Sequence, residues 1–143
     1  MTKNCNYWLL KSEPDVYGWD DLLAEGEGTW DGVRNYTARI HLRAMALGDQ
    51  AFFYHSNTGV EIVGIIEISQ AGFQDPTDET GRWTSVKVKP VRKLARTVTL
   101  KEIKADPALA DMDLLTKFRL SVSPVKASEW AHILALSAKK SGS

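Results

Sequence analysis

Three consecutive segments with a β-strand pattern, within residues 50–91, place the strongest constraint on the fold of this chain. Residues 50–55 are mainly aromatic, and residues 60–69 are rich in β-branched side chains, with Ile62, Gly64, Ile66 and Ile68 expected on one face. Residues 83–91 alternate between apolar and charged side chains, as in a strand with one buried face. The three segments are separated by a Ser-Asn-Thr-Gly loop at residues 56–59 and by a polar turn at residues 75–81, which we expect to be mobile. The sequence therefore predicts a partly antiparallel sheet.

Helical patterns of uneven length lie on both sides of this region. Asn35 stands at the N-cap position of one helix, and Thr99 begins a capping box. The spacing lacks the regular βαβ rhythm of a doubly wound sheet, which favours an α+β fold with a curled sheet. The predicted helices span residues 17–25, 36–46, 100–105 and 126–137, with further short strands at residues 7–10 and 119–122.

The length of 143 residues is typical of a single domain. We expect one domain over residues 1–137 and a flexible tail over residues 138–143. Cys5 is the only cysteine, so no intramolecular disulfide can form, and no segment approaches the length of a membrane span. These features predict a reducing, aqueous compartment: the cytoplasm, or the nucleus if the source is eukaryotic.

Residues suited to catalysis or metal binding do not form a recognisable pattern. His41, His55 and His132 lie far apart, and there is no glycine-rich phosphate loop or nucleophile elbow. The acids of the turn at residues 75–81 could offer oxygen ligands to a divalent cation, although such acids are more often solvated. We therefore expect no catalytic residue, no cofactor and no metal.

The segment GTWDGVRNYTAR, residues 28–39, concentrates groups suited to a small planar ligand. Trp30 offers a flat face on which a nucleobase can stack. The amide of Asn35 suits the edge of a heterocycle, and the guanidinium groups of Arg34 and Arg39 suit a carbonyl, a ring nitrogen or a phosphate. In the alternative interpretation Trp30 is core, Asn35 is only a cap, and the arginines pair with nearby acids. The residues alone leave both interpretations open.

Charges are unevenly distributed although the net charge is zero. Residues 13–31 carry seven acids and no base, whereas residues 82–104 carry eight bases and one acid. Lys87, Lys89 and Lys93 fall on one side if the strand persists, and they are candidates for contacts with nucleic-acid phosphates. A solvated strand face and a solvated helix would explain the same charges.

Several ordered motifs lie between residues 7 and 134: YWLLKSEPDVYGWDDL, GTWDGVRNYTARIHLRAM, GDQAFFYHSN, VKVKPVRKL and TKFRLSVSPV. Together they resemble the EVE domain family. The resemblance implies a PUA-like fold, a small curled, partly antiparallel β-barrel or sheet with flanking helices, related to the YTH readers of methylated RNA. It also implies a reader of modified nucleobases that has no catalytic activity.

The resemblance further implies which residues form the pocket. Trp30 would be a stacking surface or wall, and Ser12 and Asn35 would read the edge of the base. Arg34, Arg39 or His55 would contact polar groups or phosphate. Arg119 would close the site or, alternatively, support the end of a strand through an ion pair. The implied set is Lys11, Ser12, Trp30, Val33, Arg34, Asn35, Arg39, Tyr54, His55, Ser56 and Arg119.

The mechanism expected from this set is base flipping, which costs a few kcal/mol that stacking and edge contacts must offset. A methyl group that fills an apolar slot contributes about 1–3 kcal/mol of discrimination. The partner would be DNA or RNA that carries a modified base, such as a modified cytosine, and no membrane is involved. Two other functions stay open: a protein-interaction adaptor, and a nucleic-acid-processing enzyme.

Overall fold

The computed structural model describes residues 7–31, 33, 35–56, 60–117 and 120–138. Within them, six strands form the sheet: β1 (Tyr7–Ser12), β2 (Gly28–Trp30), β3 (Gln50–His55), β4 (Glu61–Gln74), β5 (Thr84–Thr99) and β6 (Val122–Val125). The helices are α1 (Pro14–Tyr17), α2 (Trp19–Glu25), α3 (Tyr36–Ala44), α4 (Leu100–Ala105), α5 (Asp113–Thr116) and α6 (Ala127–Ala138), and a 3-10 turn covers Pro107–Leu109. No helix among the described residues is long and apolar enough to cross a membrane.

The strands lie in the order β2-β5-β4-β3-β1-β6. All neighbouring pairs are antiparallel except β1 and β3, which are parallel. The predicted α+β fold with a partly antiparallel sheet is therefore confirmed.

Two hydrophobic clusters pack on opposite faces of the sheet. The first contains Trp8, Trp19 and Phe53 together with residues of α3, and the second contains Phe52 and Trp130. Neighbouring residues of β3 thus alternate between the clusters, as the two-residue period of a strand requires. The sequence correctly predicts that Trp8, Trp19 and Trp130 belong to the core, since each is no more than 5% exposed.

Irregularities in the long strands change which face a side chain occupies. The prediction that Ile62 shares a face with Ile66 and Ile68 is wrong, because Ile62 packs in the second cluster and the other two in the first. The pairing of β3 with β4 shifts by one residue between Ile62 and Gly64. A shift of one residue moves a side chain to the opposite face, and local alternation does not reveal it.

Several predicted element boundaries also differ. Strand β4 extends to Gln74 rather than to residue 69, and β5 extends to Thr99 rather than to residue 91. Gly18 divides the predicted helix at residues 17–25 into α1 and α2. The last strand begins at Val122 and includes Pro124, which the sequence places after the strand. Proline is tolerated there because β6 lies at the edge of the sheet and pairs with β1 alone. The predicted tail lies outside the described residues except for Ala138, which ends α6, and Cys5 also lies outside them.

Hydrogen bonds give the turn at residues 75–81 a defined conformation, and its expected mobility stays a prediction. Asp75 accepts hydrogen bonds from the backbone and the hydroxyl of Thr77. Asp78 accepts the same pair from Thr80 and a third from the backbone of Trp83. These bonds, above all that from the Thr80 hydroxyl, lower the pKa of Asp78 to about 2. Both carboxylates therefore act as internal acceptors that shape the turn.

Candidate ligand-binding site

A cleft of about 610 Å³ opens beside the ends of β1 and β2, which is a typical volume for a small-molecule site. Strands β1 and β2 are separated by three other strands in the sheet, so the sheet must curl for both to reach one cleft. Its lining residues are Lys11, Ser12, Glu13, Val16, Tyr17, Thr29, Trp30, Asp31, Val33 and Ser121. The structure thus brings together four of the predicted site residues: Lys11, Ser12, Trp30 and Val33.

Trp30 belongs both to the core and to the cleft. Its side chain is 8% exposed and packs edge-to-face against Phe53, at a ring-centroid distance of 5.6 Å. It pairs with Val86 across β2 and β5, which fixes its backbone. The two interpretations of Trp30 are therefore compatible, because a mostly buried indole still forms part of the cleft wall.

Tyr17 forms the adjoining part of the wall. Its ring meets Trp30 edge-on at 6.5 Å, and its hydroxyl donates a hydrogen bond to Glu25. Burial and, secondarily, this carboxylate raise the pKa of Tyr17, so the phenol stays protonated. The absence of a side chain at Gly28 makes room for the ring, since a Cβ atom there would lie 2.6 Å from the Tyr17 hydroxyl oxygen.

The segment around Ser12 is held by a set of local hydrogen bonds. The Ser12 hydroxyl donates to the Tyr17 carbonyl at 2.6 Å, which closes the loop that contains α1. The Ser12 carbonyl accepts from the backbone of Ser56, and the backbone of Lys11 donates to the Ser121 carbonyl, both at 2.9 Å. Because the Ser12 hydroxyl proton is engaged, its lone pairs can accept a hydrogen bond from a ligand.

Among the described residues that line the cleft, the charged groups are one amine and two carboxylates. Burial lowers the pKa of Lys11, whose Nζ lies 5.9 Å from the ring centroid of Tyr54. Glu13 and Asp31 are exposed at the rim. Carboxylates accept hydrogen bonds and repel anions, so the cleft suits a ligand with N–H donors better than it suits a phosphate.

The structure does not bring Asn35 or Arg39 to this cleft. The Asn35 side chain accepts a hydrogen bond from the backbone of Ala38 at 2.9 Å, so its predicted role as the N-cap of α3 is confirmed. The Arg39 guanidinium lies against the rings of Tyr36 and Trp83 and donates to a backbone carbonyl. Neither residue is among those that line the cleft.

The predicted residues of β3 and the following loop line two other cavities. Tyr54 and Ser56 line a cavity of about 350 Å³ that shares Lys11 with the main cleft, and burial raises the pKa of Tyr54 to about 12. His55 lines a third cavity, and its Nε2 accepts a hydrogen bond from the backbone of Trp19 at 3.2 Å. Arg34 and Arg119 lie outside the described residues.

Six lining residues are not in the implied set: Glu13, Val16, Tyr17, Thr29, Asp31 and Ser121. Tyr17 follows Ser12 by five positions, and the Ser12 hydroxyl donates a hydrogen bond to the Tyr17 carbonyl. The sequence alone does not indicate this bond. Thr29 precedes the predicted wall residue Trp30, so the neighbouring sequence pointed to it. Ser121 reaches the cleft through the pairing of β6 with β1, which no local pattern reveals.

Lys87, Lys89 and Lys93 do not form the expected single row. Lys89 pairs with Glu67 of β4, whereas Lys93 pairs with Gly64. Because Glu67 and Gly64 are three residues apart, the two lysines face opposite sides of the sheet. Lys93 lines the cavity that contains His55, and Lys89 forms an ion pair with Glu67 at 3.6 Å.

Comparison with known proteins gives this site its context. Residues 6–136 match the model of the EVE domain. The chain belongs to the EVE domain family. It is 38% identical to mouse thymocyte nuclear protein 1, with 92% of this chain and 73% of that protein covered.

Two solved structures share the fold over nearly the whole chain. Rpa0253 from Rhodopseudomonas palustris has a TM-score of 0.89 and 46% identity, covering 96% of this chain and 98% of that one. Human THYN1, solved in complex with DNA containing 5-methylcytosine, has a TM-score of 0.87 and 35% identity, covering 94% and 99%.

A more distant structure shows the predicted relation to YTH domains at the level of the fold. The YTH domain of Zygosaccharomyces rouxii MRB1, solved with N6-methyladenosine RNA, has a TM-score of 0.62 at 18% identity, with 96% and 90% covered. The predicted PUA-like fold and the resemblance to the EVE family are thus confirmed.

Proposed function

We propose that this EVE domain is a non-catalytic module that recognises a modified base of DNA or RNA by accepting it, flipped out, into the Trp30 cleft. The observation that carries the proposal is the combination of an aromatic wall with carboxylate acceptors in one cleft that is large enough to accept a nucleobase. The complex of human THYN1 with DNA containing 5-methylcytosine supports it, because that relative is similar over almost its entire chain.

The polar groups of the cleft match the edge of an amino-substituted base. Cytosine and adenine each carry an exocyclic amine, and Asp or Glu is the usual acceptor for the cytosine amine. Glu13 or Asp31 would accept from that amine, and Lys11 would donate to a ring nitrogen or carbonyl. Ser12 would accept a further hydrogen bond.

The apolar part of the cleft would supply stacking and read the modification. Stacking on an aromatic side chain contributes about 1–3 kcal/mol, which is close to the cost of unstacking a base from a duplex. Edge contacts must therefore supply the rest of the binding free energy. A methyl group against Val33 or Val16 would add about 1–3 kcal/mol of preference over the plain base.

The remaining predicted roles are part of the proposal as well. Lys87 and Lys89 would contact the nucleic-acid backbone beside β2, and the roles of Arg34 and Arg119 at the pocket stay predictions. We propose the cytoplasm as the location, or the nucleus in a eukaryotic source. The name of the mouse relative, thymocyte nuclear protein 1, is in keeping with the second possibility.

The sharpest test replaces the two carboxylates by amides. Glu13 and Asp31 are exposed, so Glu13→Gln and Asp31→Asn should leave the fold unchanged. Fluorescence anisotropy with labelled oligonucleotides that differ only in one base (cytosine, 5-methylcytosine, adenine or N6-methyladenine) measures the discrimination. Replacement of the carboxylate that contacts the amine should reduce the discrimination between bases about tenfold. Asp15→Asn is the matched control, since Asp15 is exposed on α1 and is not among the lining residues.

A variant of Trp30 completes the experiment. Trp30→Ala is unsuitable because removal of a mostly buried indole costs about 3–5 kcal/mol of stability. Trp30→Phe keeps an aromatic wall of smaller area. It should therefore weaken the binding of every base by a similar factor. If the wild-type protein binds modified and plain oligonucleotides equally, the proposed function is wrong.

A further inference from the structure

Two arginines of α3 meet the backbone of a third arginine, Arg82, which precedes β5 beyond the cleft. Arg39 and Arg43 lie on α3, and their guanidinium groups both donate to the carbonyl of Arg82, at 2.9 and 3.3 Å. Arg43 also donates to the Thr84 hydroxyl at 2.9 Å. The backbone carbonyl of one exposed arginine therefore holds the positive side chains of two others.

Aromatic rings fix the orientation of the central arginine. The Arg39 guanidinium carbon lies 5.0 Å from the ring centroid of Tyr36 and 5.5 Å from that of Trp83. The two rings themselves are 5.1 Å apart. An arginine held in this way loses little side-chain entropy when it binds a further group.

The positive charge of this group is not neutralised by ion pairs. Within the described part of the chain, no carboxylate forms a salt bridge with Arg39, Arg43 or Arg82, whereas Lys89 is paired with Glu67. The nearby carboxylates of Asp75 and Asp78 accept hydrogen bonds within their own turn. Arg43 and Arg82 are exposed, so an anion can reach them.

The arginines lie close enough to the cleft to serve the same ligand. Val33 lines the cleft, and α3 begins three residues later at Tyr36. Across the sheet, Trp30 pairs with Val86, and Trp83 precedes Val86 by three residues, or about 10 Å of extended chain. That length equals about three nucleotides along one strand of a duplex, at 3.4 Å each.

We infer that Arg39, Arg43 and Arg82 bind the phosphodiester backbone of the strand that carries the recognised base. The inference rests on the proposed function for the identity of the partner. Guanidinium groups form paired hydrogen bonds with phosphate oxygens, and three unpaired cations on one surface complement a polyanion. The cleft carries two carboxylates, whereas no described carboxylate forms an ion pair with the three arginines. The cleft would therefore recognise the base, and the arginines would bind the backbone.

The test is the salt dependence of binding by the double variant Arg43→Gln/Arg82→Gln. We expect affinity at low salt to fall about fivefold or more for modified and plain oligonucleotides alike. The slope of log K against log salt should decrease by about 1 for each phosphate that the variant no longer binds. Arg92→Gln is the matched control, because Arg92 is an exposed arginine farther along β5.

The outcomes separate this inference from the proposed function. An unchanged salt slope in both the double variant and Arg82→Gln alone overturns the backbone contact, whatever happens to base discrimination. Arg82→Gln removes only the side-chain charge of residue 82. Its backbone carbonyl, which accepts hydrogen bonds from Arg39 and Arg43, is retained. A double variant with a reduced slope and intact preference for the modified base supports it. Loss of discrimination in Glu13→Gln or Asp31→Asn bears only on the cleft.

Discussion

Replacing Gly28 by alanine tests whether the cleft wall depends on the missing side chain at this position. The added Cβ would lie 2.6 Å from the Tyr17 hydroxyl oxygen, so that oxygen must move by about 1 Å to reach ordinary contact distance. Overpacking of this kind costs about 1–3 kcal/mol. For a domain of this size we expect the Tm to fall by about 4 °C per kcal/mol.

Removing the hydroxyl should relieve most of this cost. In a Tyr17→Phe background the nearest atoms to the new Cβ are Leu22 Cδ1 at 3.1 Å and the ring carbon Cζ at 3.3 Å. These need to move only a few tenths of an ångström, so Gly28→Ala should then cost less than about 1 kcal/mol. Urea denaturation followed by tryptophan fluorescence measures both steps of this double-mutant cycle.

The result that would refute the reasoning is an equal loss of stability in the two backgrounds. The Tyr17 hydroxyl would then not be the group that the new methyl displaces. A second readout is ligand binding, because Tyr17 lines the cleft. Gly28→Ala should weaken binding of the modified oligonucleotide, and Gly28→Ala with Tyr17→Phe should recover part of that loss.

Three further predictions concern stability. Gly64→Ala should cost about 3 kcal/mol or more in urea denaturation, because its Cβ would lie 2.5 Å from two carbons of the buried Trp19 ring; a change below about 1 kcal/mol would contradict this contact. Asp49→Ala should cost about 3 kcal/mol, since it leaves the Trp8 indole N–H and a backbone amide without their buried acceptor; the same loss should appear as a lower Tm. Burial lowers the pKa of His55 below its ordinary 6.5, so the unfolded chain binds the extra proton first. Stability should therefore be full above about pH 6.5 and decline as the pH falls through 6.5 toward the lower folded-state pKa, and His55→Gln should flatten this part of the profile.

Part of the candidate site was predictable, because four of its ten described lining residues belong to the predicted set. Lys11 and Ser12 directly follow the predicted strand at residues 7–10 and belong to a motif of the family. Trp30 was predicted from its flat ring and from the family resemblance, whereas the strand that it ends, β2, was not predicted. Asn35 and Arg39 were predicted from their chemistry, yet helix α3 uses the first as its cap and turns the second toward Trp83. Chemical suitability does not specify direction, which depends on how the helix packs.

The sequence by itself determined the local elements and the family of this protein. Apolar runs and alternation indicated the strands other than β2, and the caps at Asn35 and Thr99 fixed where two helices begin, because each depends on residues close together in the chain. Only the tertiary structure decided that β1 and β2 share a cleft and that Lys89 and Lys93 face opposite ways. The curl of the sheet and the register shifts arise from packing between distant segments. An alternating sequence pattern does not reveal where a register shift moves the side chains to the other face of the sheet.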